Sequence, residues 1–394
     1  MAGVDFEPLF TPFQLGNITL PNRIVLPAMG LAVCTDGVPG PGTAEYYRRR
    51  ALGGAGLLMT EGVYIDHYSS GDNPVNGRFH GEARAAGWKA VAEAVHAAGS
   101  FTMPELWHMG LVYFAGDVMT GGTLRYRPEL RQVSPSGYIE PCKKVSEAMT
   151  VAEIDEVIAS YGRGAALAKN LGFDGVELHG AHGFLIDQFF WSKLNKRTDH
   201  YGGPARSRGR FAAEVVAECK RNLDPGTAVI LRLSNWKVID YEARLAETPQ
   251  ELEELLAPIV EAGIDMIDCS QRRFWEPAYD GSDLNLAGWV KKVTGKPTIT
   301  IGSVGLALDM TVSLSDYSSV SETDHRNFDE LMRRFDRGEF DLVAVGRAMV
   351  AEPNWARIVR SGAFDKLKPF SVGSLQEATA LMQDPRWEDA EVAE

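Results

Sequence analysis

Gly172-Phe173-Asp174-Gly175-Val176-Glu177-Leu178-His179-Gly180-Ala181-His182-Gly183-Phe184-Leu185 decides the fold. It holds a short, near-continuous strand, Gly175 to His179, that runs directly into a glycine-rich segment carrying two histidines. Strands buried on both faces read as unbroken runs, whereas half-exposed strands alternate. Seven more runs of this kind occur in order: Arg23 to Leu26, Gly56 to Thr60, Phe101 to Leu106, Ala228 to Leu233, Ile264 to Cys269, Pro297 to Gly302 and Leu342 to Gly346. Each is followed by a polar or glycine-rich segment and then a helical pattern. Strand and helix alternating in this way point to a parallel α/β fold, and the count of eight favours a (β/α)8 TIM barrel over an open sheet.

The intervening helices carry their own start signals. Thr150-Val151-Ala152-Glu153 and Thr248-Pro249-Gln250-Glu251 read as capping boxes, the second with Pro249 at the first helical position. After it, Leu252, Leu255, Leu256, Ile259 and Val260 follow helical spacing up to Gly263, and Trp88, Val91 and Val95 form a similar stripe before Gly99. Three segments break the rhythm. Phe13 to Leu20, with Gly16-Asn17 at its centre, predicts an N-terminal hairpin plugging one end of the barrel. Met109 to Met149, after the third strand, is rich in Gly, Pro, Ser and Tyr and is expected to be a long capping loop, a lid over the ligand. Leu306 to Asp324 is either another loop at the active-site face or disordered. With no repeat or linker, residues 1–394 are expected to form one domain with a core of about 8–370 and an acidic tail from Asp384.

A net charge of -13 argues against a nucleic-acid partner, whose phosphates need a basic footprint; the one dense run, Arg48-Arg49-Arg50, reads as a solvated helix face. Cys34, Cys142, Cys219 and Cys269 are scattered without metal or disulfide spacing, so no metal site is expected and a reducing compartment fits. The first ten residues carry no signal pattern and no long apolar stretch follows, which predicts a cytoplasmic protein without a membrane partner. Its partner is expected to be a small-molecule substrate, with a homo-oligomer an open possibility.

The quoted stretch continues into Asn195-Lys196-Arg197-Thr198-Asp199-His200-Tyr201-Gly202-Gly203 and Arg208-Gly209-Arg210-Phe211. With Pro21-Asn22-Arg23, Thr60-Glu61-Gly62, Leu106-Trp107-His108-Met109-Gly110, Leu231-Arg232-Leu233-Ser234 and Val345-Gly346-Arg347, it resembles the old yellow enzyme family over nearly the whole chain. The resemblance implies non-covalent FMN, reduced by NADH or NADPH, at the C-terminal mouth of the strands. His179 and His182 match the pair that binds a substrate carbonyl, and two donors on one oxygen polarise a conjugated C=C toward hydride attack. Arg232 matches the arginine near flavin N1 and O2. Gly302, Ser303, Val304, Gly346 and Arg347 match the phosphate site, where glycines admit backbone N–H groups and an arginine adds charge. Ala28, Met29 and Gly62 match the lining of the ring.

Three positions depart from the family. Gly30 replaces a Thr or Cys that meets flavin O4, leaving water, a backbone N–H or Cys34 to substitute. Glu105 replaces a Gln at the flavin pyrimidine edge; a carboxylate there opposes charge on the reduced ring unless Arg232 pairs with it or burial keeps it protonated. Phe184 replaces the tyrosine assigned as proton donor to the substrate, so water or another residue is needed, with Tyr64, Tyr113 and Tyr126 as candidates. Phe274 and Trp275, beside Arg272 and Arg273, are expected to form an aromatic wall against a flat substrate, and the arginines to offer a seat for its carboxylate.

The leading expectation is ping-pong reduction of the C=C bond of an α,β-unsaturated carbonyl compound. Oxidation of an N-methyl amine, double-bond isomerisation and flavin binding with vestigial chemistry are the alternatives.

Overall fold

Ile24–Leu26, Leu57–Tyr64, Phe101–Trp107, Gly175–His179, Ala228–Ser234, Met266–Ser270, Thr298–Ile301 and Leu342–Ala344 close into one parallel barrel, each pairing with its neighbours in sequence and the eighth with the first. The computed structural model describes residues 4–112, 114–115, 123–124, 132–309 and 319–384. The (β/α)8 expectation holds, and the strands are numbered one to eight below in this order.

The second strand runs four residues beyond the expected Thr60, and its register slips between Met59 and Gly62: Met59 faces Met103 while Gly62 faces Glu105. This β-bulge absorbs one residue and sets Gly62 against Glu105. Thr60-Glu61-Gly62 reads as a strand end because a bulge has the composition of a turn.

The N-terminal hairpin pairs Phe13–Leu15 with Ile18–Leu20. Its turn docks on the barrel floor, with Asn17 N donating to Gly226 O at 2.9 Å. Gly16 has a φ of +56°, and a Cβ there would lie 2.2 Å from Gly226 O. Leu15 and Leu20 join Leu57, Met59, Met103 and Ile230 in an apolar layer filling the lower barrel. The floor is therefore sealed by hydrophobic burial.

Helices surround the strands. Val151–Asn170 starts on the expected capping box. Pro249–Glu261 starts with Thr248 accepting from Glu251 N, but the reciprocal half of that box does not form: the Glu251 carboxylate takes Glu247 N and Arg208 instead. A nearby guanidinium outcompetes a neutral amide for a carboxylate. Leu252, Leu255, Leu256 and Ile259 are buried as their spacing predicts, as are Trp88, Val91 and Val95. The packed body continues past residue 370: Val372–Gln383 forms a helix in which Met382 is buried and its carbonyl accepts from Gly42 N at 2.8 Å.

At the root of the long loop after strand three, Met109 and Val112 pack with Tyr64 and Phe184. Much of its middle, with Tyr113 and Tyr126, lies outside the described residues. Of Leu306 to Asp324, both ends are tied down: Leu306 bridges Thr323, and Val320–Ser321 pairs with Phe370–Ser371. None of the described helices is long and apolar enough to cross a membrane.

Candidate active site

The loops after strands seven and eight meet through Ser303 and Arg347. Gly302 has a φ of +145°, and a Cβ there would lie 2.4 Å from Gln271 O, so only glycine fits the turn. Ser303 follows in the left-handed region. Its Oγ donates to Arg272 O at 2.8 Å and accepts from Arg347 Nη2 at 2.9 Å. Burial draws the Arg347 guanidinium down to about 10, against the opposing pull of Asp309. A largely buried cation is stabilised by an anion brought to it. Asn327, which sequence reading passed over, braces the loop by donating to Ser303 O and accepting from Gly305 N, at 2.9 and 2.8 Å. Val304 is buried beneath it, and Gly346 brings its backbone against Met29, whose Sδ lies 3.1 Å from where a Cβ would stand.

Phe274 is corrected: it is fully buried, its backbone N donating to Gly302 O and its carbonyl accepting from Asn285. It is a core plug beneath the Gly302–Gly305 turn, with Trp275 packed edge-on at 5.3 Å. Phe274 is held inward because the strand-six loop is tied to the start of the helix Leu286–Thr294, Asn285 donating to Phe274 O and Leu286 N to the Gln271 side chain. The arginines beside it are engaged by the protein's own carboxylates, Arg272 by Glu242 at 3.0 Å and Arg273 by Glu276 and Asp309 at 2.7 and 2.5 Å. A seat for a substrate carboxylate is not what they form.

Toward the barrel axis, Arg232 Nη1 donates to Ala28 O at 2.9 Å and lies 3.3 Å from Glu105 Oε1, while its Nε lies 3.2 Å from Asp268. Burial pushes the Glu105 carboxyl up to about 7, with Arg232 opposing. The Arg232 pairing expected for this substitution is thus present. Gly62 leaves room for the carboxylate, since a Cβ would stand 3.0 Å from Glu105 Oε2. Gly30 is exposed, with no atom of the described residues within 4 Å of where a Cβ would be, so among them the space of the missing side chain is open. Cys34 does not fill it. Its buried thiol turns to Glu61, 3.3 Å away, and burial pushes it far up. Glu61, also accepting from Leu31 N, is itself pushed up to about 7 by burial.

His179 and His182 stand together at the end of strand four, their rings 5.2 Å apart and nearly perpendicular. Burial holds both well below the usual histidine range, so they are neutral. His179 Nδ1 accepts from Ala181 N at 3.4 Å, which places the ring proton on Nε2. His182, at a φ of +63°, is held by its N–H on Ser234 Oγ, by Ser270 Oγ at 3.0 Å from Nε2, and by Trp236 stacked at 4.1 Å. The loop beneath rests on a wholly buried ion pair: Lys237 Nζ lies 2.7 Å from Asp187, whose other oxygen takes Gly183 N at 2.6 Å. Ser270, Trp236, Asp187 and Lys237 escaped sequence reading because each lies away from its partner in the chain. Asp187 sits three residues past Phe184, and Trp236 and Lys237 two and three past the Ser234 that ends a quoted motif, but none of these neighbours reveals the partner.

Phe184 packs edge-on against His179 at 5.0 Å and Trp107 at 4.9 Å. Tyr64 is corrected as a donor in its place. Its ring is fully buried, stacked on Trp107 at 4.9 Å, and its hydroxyl is taken up by Asn76 and Met109 at 2.8 and 3.1 Å.

A partly buried arginine beside glycine turns, an arginine-carboxylate floor and a pair of neutral donors, all at the C-terminal rim of a parallel barrel, are the features of a barrel oxidoreductase that takes a flat, phosphate-bearing cofactor. The donor set fits FMN: cations at the phosphate and ring ends, open space at Gly30 between the loops. The chain belongs to the NADH:flavin oxidoreductase / NADH oxidase family, the old yellow enzymes, whose family model matches residues 8–320. It is similar to an NADH oxidase of Thermoanaerobacter brockii, 29% identical over 92% of this chain and 52% of that protein. A 12-oxophytodienoate reductase 7 of Oryza sativa subsp. japonica is 37% identical over 53% of this chain and 54% of that protein. The chain thus spans about half the length of these two relatives. A "probable inactive reductase" of Epichloe festucae var. lolii is 35% identical over 68% and 69% of the two chains. Among solved structures, morphinone reductase in complex with tetrahydroNAD superposes with a TM-score of 0.72 at 26% identity, over 93% of each chain. An old yellow enzyme homologue from Zymomonas mobilis shares the fold, with a TM-score of 0.74 at 24% identity over 93% of this chain and 96% of that one.

Proposed function

We propose that the chain is an FMN-dependent ene-reductase that takes hydride from NADH or NADPH and reduces the C=C bond of an α,β-unsaturated carbonyl compound. The observation that carries this is the neutral His179–His182 pair beside the Arg232 floor. Bound FMN supplies the two-electron hydride chemistry. Arg347, Ser303 and the Gly302 and Gly346 backbones would hold its phosphate, and Arg232 would stand at its ring end. His179 Nε2–H and an N–H of His182 receive the substrate oxygen, where negative charge gathers as hydride reaches the β-carbon. Trp107, Phe184 and Trp236 shape an aromatic, water-poor wall, so a neutral conjugated substrate is favoured over a charged one.

The proton at the α-carbon comes from water in this reading, because Phe184 carries none and Tyr64 is sealed away. That observation favours a second outcome: hydride returning before protonation, which gives double-bond isomerisation. Anaerobic stopped-flow spectroscopy tests the main reading. Enzyme reduced by a nicotinamide is expected to regain its oxidised flavin band on mixing with 2-cyclohexen-1-one. Bleaching of the oxidised enzyme by an N-methyl amine, with no reoxidation by the enone, would contradict it.

A further inference from the structure

Glu105, Glu177 and Asp268 stand on strands three, four and six around the single guanidinium of Arg232 on strand five, all but enclosed in the barrel: 2%, 0%, 2% and 5% exposed respectively. Their placement follows from register. Glu177 pairs opposite Glu105, Arg232 opposite both His179 and Asp268, and Glu177 lies two residues before His179 on the same inward face. One positive charge faces three acids. A buried carboxylate without a counter-charge neutralises itself by taking a proton.

The geometry assigns the protons. No donor among the described residues reaches either oxygen of Glu177 or Asp268 Oδ1. The hydrogen bond open to Glu177 is one to Asp268, and it exists only when one of the two carries a proton. Asp268 lies 3.2 Å from Arg232 Nε, so it keeps the charge and Glu177 the proton. Arg232 also spends Nη1 on Ala28 O. It reaches Glu105 only at 3.3 Å, as a shared partner. The remaining groups facing Glu105 do not settle its charge: His179 Nε2, 3.9 Å away, is neutral, and burial keeps Tyr161 of the helix Val151–Asn170 protonated. Strand two presents Gly62, with the neighbouring Glu61 carboxylate turned to Leu31 and Cys34.

We propose that Glu105 is a redox-linked proton site, which binds a proton from solvent as bound flavin gains hydride and releases it when hydride leaves. The inference rests on the flavin reading of the site. Hydride from a reduced nicotinamide brings two electrons and one proton, and so adds one negative charge beside Glu105. The second proton, from water to the Glu105 carboxylate, cancels that charge. Asp268 and Ala28 O make this possible by occupying Arg232 while Glu177 holds its own proton, and a glutamine at this position has no proton to exchange. Burial sets the carboxyl at about 7 in the flavin-free site, and the negative charge that reduction adds raises it further. Below that pH Glu105 is protonated throughout; above it, reduction draws in the extra proton.

The test is the midpoint potential of bound FMN, measured by reductive titration against an indicator dye from about pH 5.5 to about pH 9. For a two-electron couple a tenfold change in proton activity is worth ~30 mV per proton taken up. The wild type is expected to fall by ~30 mV per pH unit below about pH 7 and by ~59 mV per unit above it. Glu105→Gln is expected to follow the shallow slope throughout, with a higher potential at alkaline pH. Asp268→Asn releases Arg232 to Glu105 and moves the bend to lower pH, a shift that loss of packing alone does not produce. A single shallow slope in the wild type, or a bend that survives in Glu105→Gln and so belongs to Glu61 or another group, overturns the proposal while leaving the flavin reading intact. Failure of the protein to take up FMN, seen directly in its visible spectrum, overturns both.

Discussion

Phe184→Tyr is expected to raise the rate of enone reduction over the wild type by ~10²- to 10⁴-fold, the range that a positioned acid contributes to a proton-transfer step. The ring already has its orientation, edge-on to His179 and Trp107, at 5.0 and 4.9 Å. It is 7% exposed, so it touches the cavity without leaving the core. A hydroxyl added at its tip needs no new rotamer. It does need a hydrogen-bond partner, which a bound substrate or an ordered water supplies; left unsatisfied it would cost ~1–3 kcal/mol. The gain should appear in turnover, with flavin content and rate of nicotinamide oxidation unchanged. A solvent deuterium isotope effect that is large in the wild type should shrink in the variant as hydride transfer takes over as the slow step. Turnover that does not rise, with no solvent isotope effect in either protein, would mean that protonation is not limiting and that Phe184 serves a substrate needing no such proton.

His179→Ala is expected to lower kcat/KM for the same enone by ~10²- to 10³-fold, as removal of one donor from a developing oxyanion does elsewhere. The neutral ring donates from Nε2, fixed by Ala181 N on the other nitrogen. Its loss leaves His182 alone to hold the oxygen. Because His182 is separately anchored by Ser234, Ser270 and Trp236, the partner should stay in place and the effect should be confined to the oxygen. Pre-steady-state reduction of the flavin by nicotinamide separates the two half-reactions: the oxidative half should fall and the reductive half change far less. Equal loss in both would place His179 in nicotinamide binding instead.

The eight strands were legible because a barrel buries each on both faces: Val229 and Leu231 pack outward among the helices while Ile230 between them joins the inner apolar layer. Boundaries failed where local composition and tertiary demand disagree. The bulge at Thr60-Glu61-Gly62 looks like a turn, and the second capping box is undone by Arg208, which no window around Thr248 contains.

The site divides along the same line. His179, His182, Arg232, Ser303 and Arg347 sit at strand ends, where sequence order alone places them on one rim. What tunes them does not: Ser270, Trp236, Asn327 and the Asp187–Lys237 pair are recognisable only once separate loops are folded together. Phe274 shows the opposite error. Aromatic residues beside arginines suggest a binding wall, yet burial in the core is the stronger claim on a phenylalanine when the loop turns inward. The meaning of Glu105 likewise depended on Glu177 and Asp268, which the sequence places 72 and 163 positions away.

Equilibrium titration of the flavin-free protein with FMN, run beside Arg347→Ala, tests the central claim most directly. The account predicts saturable binding of one FMN per chain and an affinity ~10- to 100-fold weaker in Arg347→Ala, the worth of a hydrogen bond to a charged group. A protein that shows no saturable change in FMN fluorescence at any FMN concentration, or a variant that binds FMN as tightly as the wild type, would contradict it.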